Sequence, residues 1–165
     1  MTSISPAVSF RRFDASTDTD TVLALWQLAF PEYRDPSRPH RDPRVSIANK
    51  LAMQPELFFV AVHDGRVVGT VMAGYDGHRG WLYSLAVVPQ ARGLGFGRAL
   101  VAHAEKALAA LGCLKVNLQV LSAKSDIRGF YEAIGYRPDA VVSLGKRLET
   151  PPSQATTAGE GMLPA

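Results

Sequence analysis

Gln90-Ala91-Arg92-Gly93-Leu94-Gly95-Phe96-Gly97-Arg98 is the stretch on which the reading of this chain turns. Ahead of it, Trp81 to Val88 is an apolar run of strand composition, stopped by Pro89, which has no N–H for a sheet ladder. Behind it, Arg98 to Leu111 repeats apolar residues at helical spacing and closes at Gly112, suited to the C′ position. Strand, glycine turn and helix in that order aim free N–H groups at an anion. The first four N–H groups of a helix lack intrahelical acceptors, and the macrodipole makes that end positive. A phosphate ligand is expected here; a plain glycine turn entering a helix is the rival reading.

The glycine spacing narrows the choice of phosphate. A dinucleotide fold calls for G-x-G-x-x-G and an acidic residue about 20 positions on. Here the run is G-x-G-x-G followed by Arg98, and the next apolar stretch, Lys115 to Leu121, ends without Asp or Glu. The G-x-x-x-x-G-K-[ST] pattern of a P-loop is also missing.

At 165 residues, 47% hydrophobic and 20% charged, the chain suits one domain with a substantial core. A net charge of +3 fits an anionic ligand. No Lys/Arg run or basic stripe appears, so a nucleic-acid partner is not expected. The single cysteine, Cys113, cannot form an internal disulfide or a Cys-rich metal site, and no metal is expected. With neither a signal-peptide pattern nor an apolar run of spanning length, the expectation is a cytoplasmic protein without a membrane partner.

In chain order, residues 1–7 read as a loose lead-in. Val8 to Phe13 alternates as a strand, and Asp14 to Asp20 is a turn with N-cap candidates. Val22, Leu25, Trp26 and Phe30 mark a helix ended by Pro31. Residues 31–43 form a charged, proline-rich loop, and Asp42-Pro43 caps a second helix to about Met53. Strands follow at Leu57 to His63, Arg66 to Tyr75 and Trp81 to Val88, joined by turns at Asp64-Gly65 and 76–80. After the glycine loop and its helix come a strand from Lys115 to Leu121 and a short helix through Ala133. Tyr136 to Arg147 reads as a final strand or hairpin, and 149–165 as a disordered tail. The order β-α-α-β-β-β-α-β-α-β is an α/β arrangement, a mixed sheet with helices on its faces, in one domain over 8–148.

Gln90, Gly93 and Gly95 satisfy [QR]-x-x-G-x-[GA] and resemble the pyrophosphate loop of GNAT-superfamily N-acetyltransferases. Phe130-Tyr131-Glu132-Ala133-Ile134-Gly135-Tyr136 is similar to that family's F-Y-x-x-x-G-[FY] segment. The runs Gly69 to Gly80 and Ser143 to Leu148 resemble the bacterial YpeA-type acetyltransferases within it. The likeness spans roughly residues 8–148. It implies the GNAT acyl-CoA N-acyltransferase fold, acetyl-CoA as co-substrate, and direct attack by a primary amine of a small molecule or peptide. A monomer or homodimer is expected.

The resemblance also implies site residues. Main-chain N–H groups of Arg92, Gly93, Leu94, Gly95, Phe96 and Gly97 would receive the pyrophosphate, because glycines let backbone approach without a Cβ. Arg92 and Arg98 would add charge there, or be two solvated arginines at a helix start. Leu85, Ala86 and Val87 would offer main chain to the pantetheine amides as an added strand does. Tyr131 would be the general acid at the departing sulfur.

An alkyl ammonium near pKa 10 must lose a proton before it attacks, and many relatives place a glutamate for this on the strand preceding the loop. Trp81 to Val88 has no acidic residue. The candidates that remain are a water relayed by Tyr83 or Ser84, and His78 or Asp76 from the adjoining turn, His78 also reading as a solvated turn residue. Lys124 stands where relatives often carry an Asn, so that residue's contact with the cofactor does not transfer. Arg34, Arg38, Arg41 and Arg44 in the 31–44 loop favour an acceptor bearing a carboxylate or phosphate beside its amine, unless the loop is simply solvated. The rival from another class is a non-catalytic acyl-CoA-binding regulatory module.

Overall fold

The computed structural model describes residues 8–148; the expected lead-in 1–7 and tail 149–165 lie outside the described residues. Among the described residues nine strands and α-helices follow one another: β1 (Ser9–Arg12), α1 (Ala15–Ala29), α2 (Pro43–Ala52), β2 (Phe58–His63), β3 (Arg66–Tyr75), β4 (Gly80–Val87), α3 (Phe96–Ala110), β5 (Val116–Asn117) and α4 (Ser125–Ala133). The sheet runs β1-β2-β3-β4-β5 in spatial order. β1 to β4 are antiparallel neighbours, and β5 joins β4 in parallel through the α3 crossover.

Alternation along the strands splits the core between two faces. Phe59, Ala61, Val71, Ala73 and Leu82 pack with Leu100, Val101, Ala104 and Leu108 of α3 and with Tyr131 of α4. Phe58, Val60 and Met72 point the other way, onto Val22, Leu25 and Trp26 of α1 and Ile47 of α2. Gly80 is dictated by close approach, since a Cβ there would meet the Cys113 sulfur at 2.7 Å.

The helix starts are local chemistry. Asp14 takes the N-cap of α1 and accepts from the Ser16 N–H, so the Asp/Ser/Thr run read as a turn is instead the helix's first turn. Asp42 caps α2 in the same way, with Pro43 at its first position. Asp18, almost fully buried, accepts two bonds from the Arg11 guanidinium at 2.6 and 2.9 Å and one from the Asp14 N–H at 2.8 Å. The Arg11 bond, ahead of the others, holds the Asp18 carboxyl below the usual carboxylate range. Its contribution is present above the unfolded carboxylate pKa and is lost as pH falls through the lower folded value. Asp18→Asn is therefore expected to cost about 2 kcal/mol at pH 7 and progressively less below pH ~4, read from denaturant midpoints across that range.

Two expectations are corrected at the C-terminal end. The strand read over Lys115 to Leu121 pairs only at Val116 and Asn117. Tyr136 to Arg147 forms no strand or hairpin, and the order closes on α4 among the described residues. Lys115 and Asn117 bond Asp139, and Gln119 bonds Ser143. Side chains bridge the space where a ladder would run, in a parallel sense, and Pro138 has no N–H to contribute. The 31–43 loop stands, tightened by 3₁₀ turns at Pro31–Arg34 and Pro39–Arg41.

Candidate active site

β4 is where the sheet changes character. It meets β5 only at Gly80↔Val116 and Trp81↔Asn117, so the strands part beyond that point and main chain from Leu82 to Val87 has no β5 partner. The pairing with β3 slips in the same region. Met72 opposes Tyr83 and Thr70 opposes Ala86, which sets two residues of β4, Ser84 and Leu85, against Val71 alone. That is a β-bulge, and Ser84 absorbs it at φ +49°, sparsely populated for a residue with a side chain. The extra residue changes the parity of the strand. Leu82 faces α3 before the bulge, whereas Ala86 after it faces α1.

A buried hydrogen-bond chain holds the bulge in place. Trp26 Nε1 donates to Thr70 Oγ1 at 2.8 Å, and the Thr70 hydroxyl donates to the Ser84 carbonyl at 3.2 Å. Trp26 and Thr70 are both fully buried. Thr70→Val keeps the shape but strands the indole N–H and frees the Ser84 carbonyl. A loss of about 1–3 kcal/mol is expected, with a fall in turnover beyond what the loss of folded protein explains. Thermal melts paired with kinetics at low temperature measure the two separately.

β4 leads into the glycine loop. Gly93 and Gly95 sit at φ +77° and +83°, the left-handed region that side chains avoid, and a Cβ on either would meet nothing within 4 Å. Gly95 occupies the N-cap of α3 and brings no side-chain cap, and the helix has no acidic residue in its first turn. The N–H groups of Phe96, Gly97 and Arg98 therefore start a 15-residue helix without intrahelical acceptors. A positive helix end, an open cradle and no competing carboxylate fit an anion such as a pyrophosphate. Arg92 and Arg98 are exposed beside it, and Arg92 Nε donates to the Val87 carbonyl at 3.2 Å.

On the α3 side of the sheet, α4 places Tyr131 in the core edge-on to both Phe130 and Tyr136. Burial pushes the Tyr131 hydroxyl up to about 12, so it stays protonated across the neutral range. Phe130 also lies against Gly97, where a Cβ would come 3.5 Å from its ring, which ties α4 to the start of α3.

On the opposite face, a cavity of about 470 Å³ opens between α2, the Pro31–Arg34 turn and the bulge. Ser84 and Tyr83, both expected from the sequence, line it with Tyr33 and Lys50. The Tyr33 hydroxyl and Ser84 Oγ share a hydrogen bond of 3.0 Å. Desolvation raises both tyrosines, Tyr33 and Tyr83, above the ordinary phenol value. His78 lies apart from this cavity, exposed in the 76–79 turn, where Asp76 accepts from the His78 and Arg79 N–H groups. Tyr33 escaped the sequence reading because it stood in a loop with no pattern to select it.

The larger concavity, about 970 Å³, lies beyond β5, against the 136–143 segment. Tyr131 is on its wall, but nothing of the glycine loop is. It occupies the place of the missing C-terminal strand, so the smaller cavity and the parted strands form the candidate site. Lys124 pairs with Glu32 at 3.1 Å and stands 5.9 Å over the Phe30 ring, which closes the 31–34 turn onto the approach to α4. Among the described residues no cluster of His, Cys, Asp or Glu could hold a metal ion, and no helix is long and apolar enough to cross a membrane.

Comparison with known proteins supplies the class. The model of the acetyltransferase (GNAT) family matches residues 21–136. An acetyltransferase of Yersinia enterocolitica is 45% identical over 132 residues, covering 80% of this chain and 90% of the relative. Among solved structures, Ard1 from Thermoplasma volcanium superposes with a TM-score of 0.69 at 24% identity, covering 81% of this chain and 85% of that one. The PaiA N-acetyltransferase of Thermoplasma acidophilum, solved with coenzyme A, gives 0.67 at 17% identity, covering 82% and 93%. The chain belongs to the GNAT acetyltransferase family and is an acetyl-CoA-dependent N-acetyltransferase.

Proposed function

We propose that this enzyme acetylates a primary amine of a small molecule or peptide by direct attack of the amine on acetyl-CoA, across the gap between β4 and β5. The observation that carries the reading is the parting of those strands after Trp81↔Asn117. It leaves main chain at Leu85, Ala86 and Val87 without a β5 partner, with the Val87 carbonyl held by the Arg92 side chain, and this edge leads to the uncapped start of α3. Pantetheine amides would add to that edge as a strand does, and the pyrophosphate would sit on the N–H groups of 92–97. Acetyl-CoA supplies an activated thioester; the protein supplies placement and protons.

The acceptor would enter from the Tyr33–Ser84 cavity. Among the described residues no carboxylate or histidine lines it, and its two phenols are held protonated. Ser84, bonded to Tyr33, would pass the amine's proton to water. Tyr131, on the other face, would donate to the departing sulfur.

Two measurements test this. Acetyl-CoA should raise the Tm by mass action, and NAD much less; equal shifts would remove the cofactor assignment. With a working amine, kcat/KM should climb with pH toward the amine's own pKa near 10 without a plateau near neutrality, and His78→Ala should leave that limb in place. A limb that levels near pH 7 and disappears in His78→Ala would restore the histidine as base. The non-catalytic alternative, a regulatory acyl-CoA module, predicts the Tm shift with no turnover on any amine.

A further inference from the structure

Among the described residues one cation lines the acceptor cavity, and no carboxylate lines it beside that cation. Lys50, in the last turn of α2, is partly buried and donates to the Ala73 carbonyl of β3. An ammonium carries three donors, and this one has no second hydrogen-bond partner and no ion pair among the described residues. Desolvation lowers its pKa, and only the field of Glu56 acts against that. A charge kept half out of water with no ion-paired carboxylate, only the field of Glu56, is costly unless something else supplies the anion. Of the loop arginines that the sequence put forward, Arg41 acts on the Tyr33 hydroxyl through its field but does not line the cavity, and two are held by partners of their own. Arg34 donates to the Gln27 carbonyl and Arg38 pairs with Asp35.

We infer that Lys50 is the anion anchor of the acceptor site, so that the natural acceptor carries a carboxylate or phosphate a few bonds from the amine it presents at Ser84. The inference rests on the acetyl-transfer reading of this cavity. Ala73 pairs with Leu82, two positions before Ser84 and one strand over. Strand geometry sets that separation on the order of 10 Å, which a short amino acid or an aminoalkyl phosphate fills once hydrogen-bond lengths at both ends are allowed for. The remaining wall fits such a molecule. Met53 and Met72 offer apolar contact to its chain, while Asn49 and Ser46 add polar groups without negative charge. A polyamine or a lysine-rich peptide would find a like charge here and, among the described residues, no carboxylate on the cavity wall.

The test is steady-state thiol release by the full chain with acetyl-CoA and matched acceptors. Glycine, β-alanine, 4-aminobutyrate and 5-aminopentanoate are each set beside their amides, and O-phosphoethanolamine beside ethanolamine. At least one anionic member should exceed its neutral partner in kcat/KM by about tenfold or more, the size of one charge-assisted hydrogen bond. The best chain length reads the spacing, and the phosphate arm separates the two anions. Lys50→Met should collapse that ratio through KM, and Lys50→Arg should keep most of it. If Lys50 merely caps the Ala73 carbonyl, Lys50→Met lowers the Tm and leaves the ratio intact, which overturns the proposal. So do neutral members that match or beat their partners, and so does the absence of turnover on every anionic amine. Acetyl-CoA thermal shifts run alongside keep the failures apart: loss of the shift indicts the cofactor site, not Lys50.

Discussion

Tyr131→Phe is expected to lower kcat by about 10²–10⁴-fold while leaving acetyl-CoA affinity within a few-fold of the native enzyme. The substitution removes one hydroxyl from a ring packed between Phe130 and Tyr136 and preserves that packing. A phenol raised to about 12 by burial cannot act as a base near neutrality, but it is a full-time hydrogen-bond donor. A departing thiolate in the same desolvated surroundings needs such a donor most, because water is not there to solvate it. The donor role also sets the pH behaviour: no descending limb from Tyr131 should appear below about pH 11. Single-turnover kinetics with a good acceptor isolate the chemical step. Native kcat together with a lowered Tm would reduce Tyr131 to a packing residue.

Gly95→Glu should cut acetyl-CoA affinity by at least ~100-fold, and Gly95→Ala by much less. Both place a Cβ at φ +83°, which costs about 1 kcal/mol of backbone strain. Only the glutamate also puts a negative charge at the uncapped end of α3, where the pyrophosphate would bind. Because a Cβ at Gly95 meets nothing within 4 Å, neither variant is expected to unfold the domain. Titration of both variants separates strain from charge. Equal losses would mean that loop conformation, not the anion cradle, controls binding.

Much of the candidate site was legible in local sequence, and the reason is the range over which each feature acts. The 90–98 loop is legible because glycine φ angles and an uncapped helix start depend on neighbours within a few residues. The placement of Tyr131 on a short helix closed by Gly135 is local in the same way. Tyr83 and Ser84 could be named as the polar groups of an apolar strand, but their partner Tyr33 could not. It lies 51 positions away, and its bond to Ser84 exists only once the 31–34 turn folds over β4. Lys50 was invisible for a similar reason, since a lysine in an amphipathic helix looks solvated until the Ala73 carbonyl and the cavity are in place.

The C-terminal end shows the limit from the other side. Tyr136 to Arg147 has strand composition, but a strand also needs a partner edge at ladder distance. Side-chain bonds from Lys115, Asn117 and Gln119 span that space instead. The sequence by itself determined the element types up to α3, the glycine turn, the acid candidate and the family, all carried by short-range periodicity, glycine placement and motif. Tertiary structure alone decided where β4 and β5 part, which faces the bulge at Ser84 exchanges, and that Tyr33 and Lys50 share a cavity with it. Those depend on register and packing between segments far apart in the chain, which no local pattern encodes.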